Sequence, residues 1–358
     1  MAFMNTKSSA FSRSAQGRSS AADKKGSSLR FYASLAVALV LVGIGLALLN
    51  RSQSTEASAQ VTRVFKPTDT AFNGERSYQV LKEIVDIGPR ISATEGMLKQ
   101  QKLLQAHFEK LGGKVTMQEF QARHPLNGQR VNLANMIVEW HPERKNRVLL
   151  CAHYDTRPFP DEEPDPRKRR DPFLGANDGA SGAAFLAEMA YHMPDLKGNY
   201  GVDFVLFDGE ELIYDAARDP YFLGSEHFAR EYVANPPAHR YRWGVLVDMI
   251  ADKELQIYRE VNSMSWPDTR PLVLDLWETA RQLGVREFIH RNGHEVRDDH
   301  LPLRNIGKIP TCDIIDFDYP RPYGPNYWHT TKDVPANCSA ESLTKVGAVV
   351  LAWLQKLK

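Results

Sequence analysis

The chain has 358 residues, enough for one large domain or two ordinary ones. It is 42% hydrophobic and 25% charged, the balance of a globular protein, and its formal net charge of +1 lacks the basic surplus of a nucleic-acid binder. Three cysteines, Cys151, Cys312 and Cys338, with no Cys-x-x-Cys spacing, exclude a disulfide framework and a zinc-thiolate site while leaving room for one bridge.

In chain order, residues 1–30 are rich in Ser, Ala and Lys and read as a disordered basic tail. Residues 31–49, FYASLAVALVLVGIGLALL, carry no charge and are long enough to span a hydrocarbon core of ~30 Å. Lys7, Arg13, Arg18, Lys24, Lys25 and Arg30 precede them against the single Asp23. That asymmetry predicts a single N-terminal transmembrane helix, with residues 50 onward extracytoplasmic, in a periplasm or outside the cell. Ala57-Ser58-Ala59 has the small-x-small form of a cleavage site, so a cleaved and secreted form is the alternative. Residues 50–71 read as a polar linker, and residues 72–358 as one folded domain.

Within that domain helices and apolar strands alternate. Residues 92–112 have helical periodicity and stop at Gly112-Gly113. Asn132–Glu139 and Arg147–Ala152 read as strands, Gly179–His192 as an Ala-rich helix, and Val202–Phe207 and Gly244–Ile250 as strands. Pro267–Leu283 reads as a helix, Pro310–Ile315 as a strand and Ala340–Leu357 as a closing helix. Short continuous apolar strands between helices predict an α/β fold: a three-layer α/β/α sandwich around a mostly parallel, mixed sheet. In such sheets ligands bind beyond the carboxyl ends of the strands.

Polar clusters fall at those ends. His153-Tyr154-Asp155 follows one strand, and Asp208-Gly209-Glu210-Glu211 follows another. Asp248 lies within a third; Asp178 precedes the Ala-rich helix; Asp298-Asp299-His300 and Trp328-His329-Thr330 flank the strand at 310–315. Carboxylates gathered at one edge repel by several kcal/mol in a low dielectric, and a divalent cation removes that cost. Ligands drawn from His and carboxylates, without thiolate, suit a catalytic zinc. Glu210 and Glu211, adjacent at a strand end, point in different directions, so one can ligate metal while the other faces substrate as a base. The charged stretch Asp161–Arg170 reads as a solvated loop in preference to a substrate clamp.

Taken in order, His153-Tyr154-Asp155, Gly175-Ala176-Asn177-Asp178, Phe207-Asp208-Gly209-Glu210-Glu211, Leu223-Gly224-Ser225, Asp299-His300 and His329-Thr330 resemble the zinc-dependent aminopeptidase-like superfamily over roughly residues 75–358. Within it, Asp298-Asp299-His300-Leu301-Pro302, Trp328-His329-Thr330 and Asn132-Leu133-Ala134-Asn135-Met136-Ile137 are most similar to the glutaminyl-peptide cyclotransferases (glutaminyl cyclases). That resemblance implies one zinc ion held by Asp178, Glu211 and His329, with Glu210 as proton shuttle. It implies Asp248 and Asp298 as a hydrogen-bonded carboxyl pair beside the substrate, and Trp328 as pocket wall. The substrates implied are peptide or protein N-termini carrying Gln, converted to pyroglutamate with release of ammonia. Tyr214 stands near the position where the family has an aromatic residue after its Glu-Glu. The family's disulfide near the His-Tyr-Asp strand is not reproduced. The other branch of the superfamily, the di-zinc aminopeptidases, implies His153 and Asp248 as ligands of a second zinc, with Asp178 bridging the two. A binding domain without catalysis would lack Glu210 or a ligand, and all are present. Asp298 argues for the cyclase branch, because two carboxyls in contact share a proton and leave Asp248 a poorer metal ligand.

Overall fold

The computed structural model describes residues 64–357. The expected transmembrane segment 31–49 lies outside the described residues; among these, no helix is long and apolar enough to cross a membrane. The compact unit spans Arg63–Lys358. It therefore takes in the end of the expected linker. Phe65 packs against the core, and its N–H donates to the carbonyl of Gly284 at 3.3 Å.

Two helices, α1 (Gly74–Val85) and α2 (Glu95–Lys110), lead into an antiparallel pair, β1 (Lys114–Arg123) and β2 (Arg130–Trp140). Then come β3 (Asn146–His153), α3 (Ala180–Met189), β4 (Tyr200–Phe207), α4 (Leu223–Ala234) and β5 (Arg240–Asp248). The chain continues through β6 (Ile257–Arg259), α5 (Val261–Ser265), α6 (Arg270–Leu283), β7 (Phe288–Asn292), α7 (His300–Asn305), β8 (Thr311–Ile315) and α8 (Ala340–Lys356). The main sheet has six strands in the order β1-β2-β4-β3-β5-β8, and β6 and β7 form a separate parallel pair. β4, β3, β5 and β8 run parallel, and β2 pairs antiparallel with β4. The expected mixed, mostly parallel sheet is therefore present.

β3 shows why these strands read as continuous apolar runs. Val148, Leu150 and Ala152 face one apolar layer, which includes residues of α1, α2, α3, α6 and α8. Leu149 and Cys151 face the other, with Phe228 of α4 and Leu303 of α7. Side chains alternate across a strand, so covering both faces demands an apolar residue at every position. Against the sheet, α3 must come close. A Cβ on Gly182 would meet the Cβ of Ala152 at 2.6 Å and the carbonyl of Val247 at 2.8 Å.

Several elements have no counterpart in the sequence reading: α1, β1, α4, β6, α5, β7 and α7. β1 alternates half-exposed and exposed residues along KVTMQEFQAR, a polar edge strand with no apolar run. α1, capped by Asn73, is anchored by Arg76, whose guanidinium meets the buried carboxylate of Glu188 in α3 at 2.5 and 2.6 Å. The three cysteines are free and buried, so the bridge that composition allowed is absent.

One buried ion pair ties the sheet beneath the site. Arg147 is fully buried and donates to both carboxylate oxygens of Asp203, with Nε to Oδ2 at 2.9 Å, and to the carbonyls of Trp140 and Val202 at 3.0 and 3.1 Å. The Tyr241 hydroxyl donates to Asp203 at 2.6 Å. Arg147→Met would strand a buried carboxylate. We expect a loss of ~3–5 kcal/mol in urea denaturation; a loss below ~1 kcal/mol would show that the pair does not stabilise the sheet.

Candidate active site

The carboxyl ends of the parallel strands meet in one place. His153 is the last residue of β3 and Asp248 the last of β5, while Glu210 and Glu211 follow β4 directly. Asp178 stands just before α3, and His329 lies in the loop beyond β8. All are buried or nearly so.

Asp178 is the meeting point. Its Oδ1 lies 3.1 Å from Nε2 of His153, and its Oδ2 lies 3.4 Å from Nε2 of His329. His153 Nε2 also approaches Asp248 Oδ1 at 3.2 Å, and His329 Nε2 approaches Glu211 Oε1 at 3.1 Å. Two potential metal-binding trios therefore share Asp178: Asp178–Glu211–His329 and His153–Asp178–Asp248. In each, the donor atoms lie within 4.8 Å of one another. Ligands of a tetrahedral ion with bonds of ~2.1 Å sit roughly 3.4 Å apart, so these spacings suit a shared cation. Asp178 Oδ2 is buried without a hydrogen bond, as expected of an atom reserved for a ligand.

Backbone geometry fixes Asp178. Its N–H and that of Asn177 donate to Asp333, at 3.1 and 2.7 Å. Gly179 takes φ +91°, and a Cβ there would lie 2.6 Å from the carbonyl of Asp155 and 3.2 Å from the His153 ring. Only glycine suits both constraints. His329 itself holds φ +52°, an uncommon conformation for a side-chain-bearing residue.

The two adjacent glutamates are driven apart in charge. Burial opposes ionisation of Glu211, but Arg157 and His329 outweigh it and hold the carboxyl below its usual range. Burial and then the Glu211 charge push Glu210 well above its range, with His153 pulling the other way. Glu211 thus stays an anion fit for a cation, and Glu210 a group able to carry a proton. For Asp178, burial opposes ionisation, but the two imidazoles beside it outweigh burial and hold its carboxyl below the usual range.

Asp298 also reaches the site. Burial, then the Asp248 charge, then Asp299 raise it well above the carboxylate range. Its Oδ1 accepts the Asp299 N–H at 2.5 Å, and its Oδ2 is buried without a partner. Among the described residues no hydrogen bond links Asp298 to Asp248, so their interaction is electrostatic.

A cavity of about 320 Å³ opens over these groups. Glu210, Asp248 and Asp298 line its polar side; Trp328, Tyr221 and Phe317 are among its aromatic walls. Trp328 stacks on His329 with ring centroids 3.8 Å apart and packs on Phe317 at 5.4 Å. Tyr214 does not line the cavity. Its ring packs on Phe159 and His124 instead, and Tyr221, seven places on, supplies the aromatic face. The intervening turn, tied by Asp219 to the N–H groups of Tyr214 and Asp215, turns Tyr214 aside.

Several motif residues serve as scaffold. Asp155 accepts the Glu211 N–H at 2.9 Å and the Ser92 hydroxyl at 3.0 Å. Asp208 accepts the Ala134 N–H at 2.9 Å, Asn135 accepts the Asp208 N–H at 3.1 Å, and Asp299 takes the Ser225 hydroxyl. Sequence reasoning did not reach Arg157, Asp333, Glu295 or Arg297. The last two are exposed on the cavity rim. Nor is the stretch Asp161–Arg170 simply solvated. Glu163 is buried and accepts the N–H and hydroxyl of Thr331 at 2.9 and 2.7 Å, and Asp161 touches His329; Pro166–Arg170 remain exposed.

Fold and cluster together are those of a zinc-exopeptidase-like α/β domain. The chain belongs to peptidase family M28, whose sequence pattern matches residues 135–354. It is similar to a Drosophila melanogaster glutaminyl-peptide cyclotransferase, 26% identical over 277 residues that cover 71% of this chain and 73% of that protein. The structure of Fimbriiglobus ruber glutaminyl cyclase is 40% identical and superposes with a TM-score of 0.75, covering 81% of this chain and 97% of that one. A leucine aminopeptidase precursor from Bacteroides thetaiotaomicron is 29% identical with a TM-score of 0.73, covering 82% and 100%.

Because Asp178 belongs to both trios, Asp178→Asn should abolish cation binding. The unaltered domain should gain ~2.7 kcal/mol of stability from a divalent cation at 100 times Kd, and EDTA should reverse the gain. Equal gains in the two proteins would place any binding elsewhere.

Proposed function

We propose that the domain is a zinc-dependent glutaminyl-peptide cyclotransferase, acting on peptides with N-terminal Gln to form pyroglutamate and ammonia. Asp298 is the observation that favours this branch. It adds a second buried carboxyl to the cavity wall that Asp248 lines: burial raises Asp248, burial and then the Asp248 charge raise Asp298, and a carboxyl so raised is a poor ligand for a second cation. The 40% identity with a glutaminyl cyclase supports the same choice.

Asp178, Glu211 and His329 would hold the zinc ion. A bound divalent cation supplies Lewis-acid polarisation of a carbonyl. The remaining work falls to the chain's own residues. The cavity, walled by Trp328 and Phe317, would seat the glutamine side chain and keep bulk water away. There the substrate's α-amine attacks its own γ-carbonyl carbon. A new C–N bond closes the lactam ring, and the original carboxamide C–N bond breaks. Glu210 accepts the proton lost by the amine and returns it to the departing nitrogen, which leaves as ammonia. The reaction consumes no water. The nucleophile comes with the substrate, so the protein's contribution is chiefly orientation and charge. Substrates of this kind fit a domain held outside the cytoplasm, as the apolar run 31–49 and its basic flank suggest.

A second reading is an aminopeptidase that uses both trios, supported by the His153–Asp178–Asp248 group and the likeness to a leucine aminopeptidase precursor. A paired assay separates the two. We expect ammonia release from a Gln-led peptide and no cleavage of a Leu-led one, with Glu210→Gln lowering kcat by ~10²–10⁴. Cleavage of the Leu-led substrate alone would overturn the cyclase.

A further inference from the structure

Behind the Asp178–Glu211–His329 trio lies a ring of charge that no motif announced. Arg157 is 3% exposed although fully charged. Its Nη1 donates to Glu211 Oε2 at 2.6 Å, the oxygen opposite the one that faces His329. Its Nε and Nη2 fork onto the two oxygens of Asp161 at 2.9 and 3.0 Å. Asp161 Oδ1 in turn lies 3.2 Å from Nδ1 of His329, an ion-pair contact misaligned for a hydrogen bond. One guanidinium and one carboxylate thus address the outer atoms of two ligands, leaving Glu211 Oε1 and His329 Nε2 aimed inward. The other trio lacks this frame. His153 Nδ1 lies 3.6 Å from Asp155, and among the described residues no lysine or arginine forms an ion pair with Asp248.

We propose that Arg157 and Asp161 are positioning residues for the metal: they lock Glu211 as a one-oxygen ligand and His329 in its ligating orientation. They thereby make Asp178–Glu211–His329 the tighter of the two trios. This rests on the metal-binding reading above and extends it to residues that touch neither metal nor reacting atoms. The loop Asp161–Glu163 is accordingly part of the metal site's outer wall.

Arg157 gives the proposal an unusual sign. A cation near a metal ion repels it, so a purely electrostatic role predicts that removing Arg157 tightens metal binding. A positioning role predicts the reverse, because partners of this kind are worth ~10–100-fold in metal affinity. The experiment measures zinc stoichiometry and Kd by competition with a chelator, on unaltered protein and on Asp161→Ala, Arg157→Met, Arg157→Lys and Arg167→Ala. Arg167 sits on the same loop and, among the described residues, its side chain bonds only Asp165. The zinc-induced rise in Tm and the visible spectrum of the cobalt(II) form are read in parallel. A variant that merely weakens the fold lowers the zinc-free Tm but leaves Kd and spectrum alone.

We expect ~10–100-fold weaker zinc for Asp161→Ala and Arg157→Met, with a changed cobalt spectrum. Arg157→Lys should fall between, since an ammonium cannot serve both carboxylates with the same fork; Arg167→Ala should match the unaltered protein. Unchanged or tighter binding in the Arg157 and Asp161 variants overturns the proposal while leaving the metal site intact. An unaltered protein that binds no zinc overturns the metal reading itself, and this proposal with it.

Discussion

Everything at the centre of this protein follows from Asp178, one carboxylate placed between two buried histidines. Its two oxygens face His153 and His329 from opposite sides, and Glu211, Asp248 and the raised Glu210 crowd round it. Buried like charges repel strongly, so such a cluster persists only where cations or protons balance it. The architecture meets that demand. Four parallel strands deliver their carboxyl ends to one edge; Gly179 lets the chain bring Asp178 beside His153; Asp333 ties down the backbone on the far side.

The Glu210–Glu211 pair shows how neighbours in sequence acquire different chemistry. Glu211 has Arg157 and His329 beside it and remains an anion. Glu210 forms no ion pair among the described residues, faces the cavity, and is raised by burial and by Glu211 against the weaker pull of His153. The Glu211 charge thus helps raise the carboxyl next to it. Around both, the remaining acids divide into those that hold backbone and those that hold charge. Asp155 and Asp208 fix N–H groups and a serine hydroxyl, while Asp161 fixes a guanidinium and an imidazole. Identical side chains differ in charge and partner according to what surrounds them.

How far the sequence could be read depended on how local each signal is. Period and composition are local, so the parallel strands and the helices at α2, α3, α6 and α8 were legible within a few residues of their ends. β1 was not: it is an edge strand of mixed polarity whose only stabilising pairing, with β2, is formed in space. Strand ends followed by His, Asp or Glu are local signals too, and those residues do converge. By contrast Tyr214 stood at the right sequence distance and was turned aside by its loop, with Tyr221 in its stead.

The sequence by itself determined the fold class, the edge at which the site lies and the His, Asp and Glu residues that gather there. Each of these is carried by a run of apolar residues or by the side chain at its end. Only the tertiary structure decided which carboxyls face the histidines and which accept backbone N–H groups. It brought Asp298 and Asp248 to line one cavity and set Arg157 between Glu211 and Asp161. The physical reason is that charge state and hydrogen-bond partner are properties of an environment assembled from distant segments. Glu211 and His329, 118 residues apart, come within 3.1 Å only when the sheet is built.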